Sequence, residues 1–450
     1  MRDRIKRIYG QIEKLARQKG VEAFELYVNH YTSEEYCARK NAIDNFSMSE
    51  CLGVGLRLFK DKRIALSFSE NLSADYEVEQ MFSQALAMLP HFPEDPYNSL
   101  PAGTSTECDR FFYPEIAAFT TDDFKKNVLA IEKDFYQLDK RVINIPYTIV
   151  NRTSSAKYIL NSRGLDLFTK ENSLLFFTEG IFQENSVVKT SSNLFITKVP
   201  AEFNRGVWLK NIVKEGLDKL DAQEVNSGKR QIVISAKAAA ALFGSFLSWF
   251  SAERVQKKLS PLAGKIGRSI AASVLTIVDR PRVKNGLDSG SYDDEGAATR
   301  DYTLVENGVL KGFLHNSYTA AKDRVEITGH AKRRGFNSNI SIGTFNTFFT
   351  PGKISLNELL RKVDKGLYVT ALHGLHAGIN SLSGDFSLQA EGYVIDKGEL
   401  KSFAGNFTIT GNFLELLMNL KEPADDVLLN RSDLYTPSWW AGELSVSGKE

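Results

Sequence analysis

The sequence predicts an α+β fold: antiparallel β-meander sheets with helices, arranged as two to three blocks. Three observations carry this reading. Strand-like runs follow one another across tight turns instead of alternating with helices. Helical periodicity is confined to a few segments, the longest at 2–19 and 235–258. Four prolines, Pro90, Pro93, Pro96 and Pro101, stiffen one connector and place a block boundary there. With 450 residues, 42% of them hydrophobic, the chain can bury more than one core.

The first block, 1–105, opens with Ile5, Ile8, Ile12, Leu15 and Ala16 on one helical face, which Gly20 stops. Short strands are expected at 23–28, 35–39 and 45–48, then a hairpin of 53–59 with 64–68, and a helix capped by Ser73. The second block, 106–225, starts with a helix bearing Phe124, Val128, Ile131 and Phe135. It continues through β-prone runs at 147–153, 156–161, 165–169, 173–179 and 186–190 and closes with a helix at 205–220. The third block, 226–450, begins with a strand running into the 235–258 helix. Further strands are expected at 273–278 and 367–372, with helices at 317–322, 355–362 and 412–420. Hairpins are expected about Asn307-Gly308 and Asp396-Lys397-Gly398.

Charge narrows the function. Lys plus Arg, 56, nearly cancels Asp plus Glu, 55, so no net positive field collects phosphates and nucleic acid is an unlikely partner. The amphipathic N-terminus lacks the apolar centre of a secretory signal, and no segment is long and apolar enough to span a membrane. A cytoplasmic location is therefore expected. Cys37, Cys51 and Cys108, an odd number without CxxC spacing, read as reduced structural thiols.

The 235–258 segment is the most informative. Leu242, Phe243, Phe246, Leu247 and Phe250 share one helical stripe, while Ala241, Ser245, Ser248 and Ala252 form a second stripe of small residues. Its middle holds no His, Asp, Glu or Cys.

Familiar catalytic signatures are missing: no phosphate-binding glycine loop, no GxSxG and no HExxH. Three constellations remain. Asp293, Asp294 and Glu295 sit in a turn read as solvated. The glycine-flanked run 329–335 carries Arg333 and Arg334, whose planar forks suit a carboxylate, or else simply face solvent as a flexible loop. His373 and His376 lie near Gly384 and Asp385, a set that offers zinc ligands only if a third group is found, since i, i+3 on a strand points two imidazoles apart.

Several ordered motifs carry a resemblance: YDDEGAATRDYTLVENGVLKGFLHNSYTAAK at 292–322, TGHAKRRG at 328–335, SGDFSLQAEGYVIDKGEL at 383–400, TITGNFLELLMNL at 408–420 and TPSWWAGELSVSG at 436–448. In these the chain resembles the TldD/PmbA family of DNA-gyrase modulators and metallopeptidases. The resemblance implies a zinc site, in the TldD type, made by HExxxH on the helix after the first C-terminal strand and by a later cysteine. Here those helix positions fall near Phe243, Gly244 and Ser248, and no Cys follows Cys108. The resemblance therefore implies a PmbA (TldE)-type subunit without zinc or catalytic residues of its own, paired with a zinc-bearing TldD-type subunit or forming a homodimer, and acting on small or unfolded peptides. Peptide-cleft candidates are His373, His376, Gly384, Asp385, Arg333 and Arg334, with strand edges expected beside 373–376 and 383–386. The alternatives are a peptidase in its own right using His373, His376 and Asp385, and a binding protein for gyrase or DNA.

Overall fold

The computed structural model describes residues 2–71, 75–103 and 111–449. The expected cap Ser73, the third cysteine Cys108 and the 105/106 boundary lie outside the described residues. The N-terminal half comprises α1 (Arg2–Lys19), β1 (Ala23–Arg39), β2 (Ala42–Lys60), β3 (Arg63–Ser69), α2 (Asp75–Met88), one turn of helix α3 (Pro114–Ala117), α4 (Thr121–Leu138), β4 (Val142–Asn161), β5 (Asp166–Glu184), β6 (Val187–Thr197) and α5 (Arg205–Leu220).

The six strands form one antiparallel sheet in the order β3-β2-β1-β4-β5-β6. The strands are longer than the short runs expected. The polar middle of β1, Thr32, Ser33 and Glu34, breaks the apolar alternation, yet it is paired on one side with β2 and on the other with β4. Backbone hydrogen bonds on both sides hold these half-buried polar residues, with Glu34 paired to Arg152 and Ser33 Oγ accepting from Asn151 Nδ2 at 2.9 Å. Because β1 pairs with β4, the first two blocks share this sheet. Two helix pairs cover it. Ile5, Ile8 and Ile12 of α1 and Met81 and Phe82 of α2 pack with Leu26, Leu56 and Leu58. Phe124, Val128, Ile131 and Phe135 of α4 and Leu209 and Ile212 of α5 pack with Val150, Phe176 and Phe182.

The C-terminal half comprises β7 (Gly228–Ile234), α6 (Ala236–Gly244), α7 (Ala252–Gln256), β8 (Ile277–Arg280), β9 (Tyr302–Glu306), β10 (Val309–Leu310), α8 (Ser317–Asp323), β11 (Ala331–Lys332), β12 (Ser341–Ile342), β13 (Asn346–Phe349), α9 (Leu356–Val363), β14 (Gly366–His373), β15 (Asp385–Asp396), β16 (Glu399–Asn412), α10 (Phe413–Asn419), β17 (Glu422–Pro423), β18 (Leu434–Tyr435) and β19 (Trp439–Ser447). One sheet runs β16-β15-β14-β7-β19-β17, and a further β16–β19 pairing closes it on itself. The second runs β10-β9-β8-β13-β18. Pairing is antiparallel except at β14–β7 and β13–β18. Both sheets share a core with α6 that includes Ile232, Phe243, Leu304, Phe349, Val369 and Trp439.

The expected single helix at 235–258 is broken into α6, a 3₁₀ turn at Leu247–Phe250, and α7. Ser245 Oγ donates back to Ala241 O at 2.9 Å, beside Gly244, a local pairing that loosens a helix end. Beyond it the backbone bonds outside the helix: Leu314 N donates to Phe250 O and Ala252 N to Leu314 O, at 2.8 and 3.0 Å. Among the described residues no helix is long and apolar enough to cross a membrane.

The two halves meet through close packing and buried charge. A Cβ on Gly53 would lie 2.2 Å from the Phe336 ring, and one on Gly55 would lie 2.1 Å from Phe336 O, so β2 approaches the C-terminal half as only glycine allows. Arg333 is buried and pairs with the buried Glu25 of β1, while its guanidinium lies 4.5 Å from the Tyr27 ring centroid. Its neighbour Arg334 is exposed. Arg333→Met is expected to lower the unfolding free energy by about 3 kcal/mol, because it strips a partner from a buried carboxylate. Arg334→Met is expected to change it by less than about 0.5 kcal/mol. Urea denaturation of both variants checks the contrast, and equal costs would refute it.

Candidate functional site

The site is built on α6. Ser235 Oγ accepts from Ala238 N at 3.2 Å and caps the helix, while Ser235 N donates to Val369 O at 2.9 Å and ties the cap to β14. The inner face carries the apolar stripe. Phe243 stacks on Phe349 at 4.9 Å, Phe246 stacks on Phe413 at 4.0 Å, and Trp249 meets Phe413 edge-on at 5.5 Å. Lys237, Ala240, Ala241, Gly244, Ser245 and Ser248 form the outer strip, half-buried or exposed. Of the three residues near which the resemblance puts the zinc motif, Phe243 is therefore fixed in the core and Gly244 and Ser248 face outward. A benzyl group, a hydrogen and a hydroxymethyl provide no imidazole, thiolate or carboxylate, so these residues do not fit a zinc ion.

Gly384 and Asp385 are brought against the end of this segment. Trp249 Nε1 donates to Ser381 O at 2.7 Å, and a Cβ on Gly384, where φ is +85°, would lie 2.8 Å from the Trp249 ring. Asp385 accepts from Asn412 Nδ2 at 2.9 Å and from Ser383 Oγ at 2.7 Å, bonds that hold its carboxyl below the usual range. His373 ends β14 with Nε2 3.6 Å from Glu391, which also lies 2.9 Å from Lys219 of α5. His376 is exposed in the following turn. Among the described residues no three His, Cys, Asp or Glu side chains are grouped to hold a metal ion.

Three expectations are corrected. The first concerns Arg333, expected either to grip an anion as a cleft residue or to face solvent on a flexible loop, which instead sits buried in the junction of the two halves. In the same run His330 is buried, with Nε2 3.0 Å from Asp279 and Nδ1 3.0 Å from Thr328 Oγ1. Next, Asp293, Asp294 and Glu295 are buried rather than solvated. Asp293 accepts from the backbone of Glu295, Ala297 and Ala331. Asp294 accepts from Arg333 N at 2.7 Å and pairs with Lys157 at 3.3 Å, and Glu295 accepts from Ser317 N and Oγ at 2.8 and 2.7 Å. The last correction concerns the strand edges: β15 is flanked by β14, residues 378–380 and β16, so no edge lies beside 383–386, whereas β14 pairs with β7 only over 367–369 and, among the described residues, keeps one side unpaired over 370–373, beside 373–376. Ser387 N is taken by Gly378 O, and Asn380 N by Asp385 O.

Burial, reinforced by the Glu295 carboxylate, pushes the Asp293 carboxyl up to about 8 from an ordinary 3.8. Burial alone would raise Asp294 too, but Lys157, Lys332 and Arg333 outweigh it and hold that carboxyl low. A carboxyl raised in this way binds its proton more tightly in the native state than in the unfolded chain. The stability this contributes is full below about pH 4 and is lost as pH rises towards about 8. Asp293→Asn is expected to flatten the fall in the denaturation midpoint between about pH 5 and pH 8. Parallel slopes in variant and parent would contradict it.

Fold and site together define a class: a C-terminal domain of closed and open sheets around a strand-to-helix unit, joined through buried charge to a six-stranded sheet domain. Residues 227–448 match the PmbA/TldA metallopeptidase C-terminal domain, and residues 24–89 match PmbA/TldA metallopeptidase domain 1. The chain belongs to the PmbA/TldD family, a family of metallopeptidase type. It is 25% identical over 447 residues to a metalloprotease PmbA homologue of Haemophilus influenzae, covering 97% of this chain and 94% of that one. Among solved structures it is similar to TldE from Thermococcus kodakarensis, with TM-score 0.87 and 26% identity over 97% of this chain and 100% of that one. It is also similar to a Thermotoga maritima protein described as a candidate modulator of a DNA gyrase, with TM-score 0.89 and 27% identity over 98% of this chain and 100% of that one.

Proposed function

We propose that this chain is a zinc-less, non-catalytic subunit of a PmbA/TldD-type peptidase, acting with a TldD-type partner in the proteolysis or maturation of small or unfolded peptides. The observation that carries the proposal is the chemistry of α6 and the 3₁₀ turn after it: Phe243 is locked into the core, and the outward positions Gly244 and Ser248 bear no ligand or general base. Pairing is supported by the chain's similarity to both types. It resembles TldE, and over 54% of its length it is 27% identical to a metalloprotease TldD homologue of Buchnera aphidicola.

In this reading the activated water and the metal belong to the partner. This chain supplies a rigid wall in which α6, braced by its aromatic face, presents a strip of small residues to the substrate space. A narrow wall admits extended peptides and excludes folded proteins.

A peptidase acting alone through His373, His376 and Asp385 is not favoured by the geometry. Asp385 is committed to Asn412 and Ser383, and His373 lies beside Glu391. A gyrase- or DNA-binding role rests on the description of the Thermotoga protein and finds no support in the balanced charge.

The purified chain is expected to show no peptidase activity on an unstructured peptide, and activity is expected to rise when a TldD-type subunit is added, beyond that subunit's own rate. Hydrolysis by the pure chain that His376→Ala abolishes would overturn the proposal. So would a partner whose rate this chain leaves unchanged.

A further inference from the structure

A cavity of about 400 Å³ lies where the two halves meet, beside the first turn of α6. Its walls come from β6, one stripe of α5, and the 428–431 segment. The apolar part is made by Phe195, Val207, Trp208, Leu428 and Leu429, of which Val207, Leu428 and Leu429 are exposed at the rim.

Two cations line the same cavity without a carboxylate partner. Lys237, on the outer strip of α6, makes no ion pair or hydrogen bond among the described residues. Arg431 donates Nη1 to Asn193 Oδ1 at 2.6 Å and, among the described residues, to no carboxylate. Two acids are also present, and both are engaged. Glu215 lies 3.0 Å from Lys219, and Glu202, at the exposed edge, accepts from Asn430 Nδ2 at 3.2 Å. Burial lowers both Lys237 and Arg431 from their ordinary values, and the Glu215 carboxylate, which acts on both from beyond ion-pair distance, offsets only part of that cost. A third group lines the same cavity: Trp208 is only 6% exposed, and its Nε1 donor has no acceptor among the described residues.

The cavity also lies against an outer strand, where Leu194 N donates to Asn193 Oδ1 at 2.9 Å. β6 is the outer strand of its sheet, and Ile196 N on that edge already donates to Asn430 O at 2.7 Å. An extended backbone that takes the place of the Asn193 side chain at Leu194 N can continue this pairing, with no demand on its sequence.

We propose that this cavity binds the C-terminal end of a peptide whose last side chain is apolar, with its carboxylate shared by Lys237 and Arg431 and its backbone along the outer edge of β6. Charge complementarity selects an anion, the apolar wall selects its side chain, and the strand edge selects a peptide over a fatty acid, which has no amides to pair. The inference rests on the peptide-handling role proposed above and names the part of the peptide that is held.

Calorimetry on the full chain tests it with three probes: acetyl-alanyl-alanyl-leucine as the free acid, the same peptide as its C-terminal amide, and decanoate. The free acid is expected to bind and the amide to bind at least about tenfold more weakly. Lys237→Met and Arg431→Met are each expected to weaken the free acid by about tenfold. Val207→Asp, at an exposed position, is expected to weaken it as well without altering the melting temperature. No binding of the free acid, or equal binding of acid and amide, overturns the proposal. Decanoate binding more tightly than the peptide, with the same sensitivity to Lys237→Met, replaces the peptide by a lipid and also overturns it. No partner subunit is present, so these outcomes are independent of whether the chain activates one.

Discussion

The structure depends on the buried charge junction in which Glu25 faces Arg333 and Arg57 and Asp294 faces Lys157. Charges taken out of water cost several kcal/mol each unless they are paired, so each side of this junction requires the other. Glu25, Arg57 and Lys157 lie on three neighbouring strands of the N-terminal sheet, whereas Asp294 and Arg333 come from C-terminal loops. Glu295, 3.8 Å from Arg57, holds the start of α8 through Ser317, which extends the junction into the C-terminal half. Its consequence reaches the candidate site. With the two halves in register, α5 and β6 of one stand beside α6 of the other, and a cavity exists between them.

Along α6 and the 3₁₀ turn that follows it, the demands of fold and of chemistry fall on opposite sides. Phe243, Phe246 and Trp249 fill the core, and replacing any of them with a small polar group would open a void in a close-packed interior. Gly244 and Ser248 face outward, where the packing places few demands. A Cβ on Gly244 meets only Leu434, at an ordinary 3.6 Å. This separation is why one architecture can persist with or without catalytic groups.

Local chemistry was legible in the sequence, and distant chemistry was not. Asn307 and Gly308 adopt positive φ, 49° and 80°, as a tight hairpin needs, and the helix at Arg2–Lys19 follows its apolar spacing. The family motifs likewise pointed to the right family. What escaped were features set by partners far along the chain. Arg333 and Glu25 are 308 residues apart, so nothing adjacent to Asp293-Asp294-Glu295 or Arg333 signalled burial. The break after Gly244 is held by Leu314, and the polar middle of β1 is strand because β2 and β4 flank it. Lys237 and Arg431 were not singled out either, since their significance lies in what they lack as neighbours.

The proposed role requires that this chain hold no zinc of its own, on the outer strip beside α6 or at His373 and His376. Zinc content of the purified chain, after equilibration with zinc and removal of the free ion, tests it most directly. Zinc well below one ion per chain is the expected result. One tightly held zinc per chain, lost on substitution of His373 or His376 and not accounted for by an affinity tag, would contradict it.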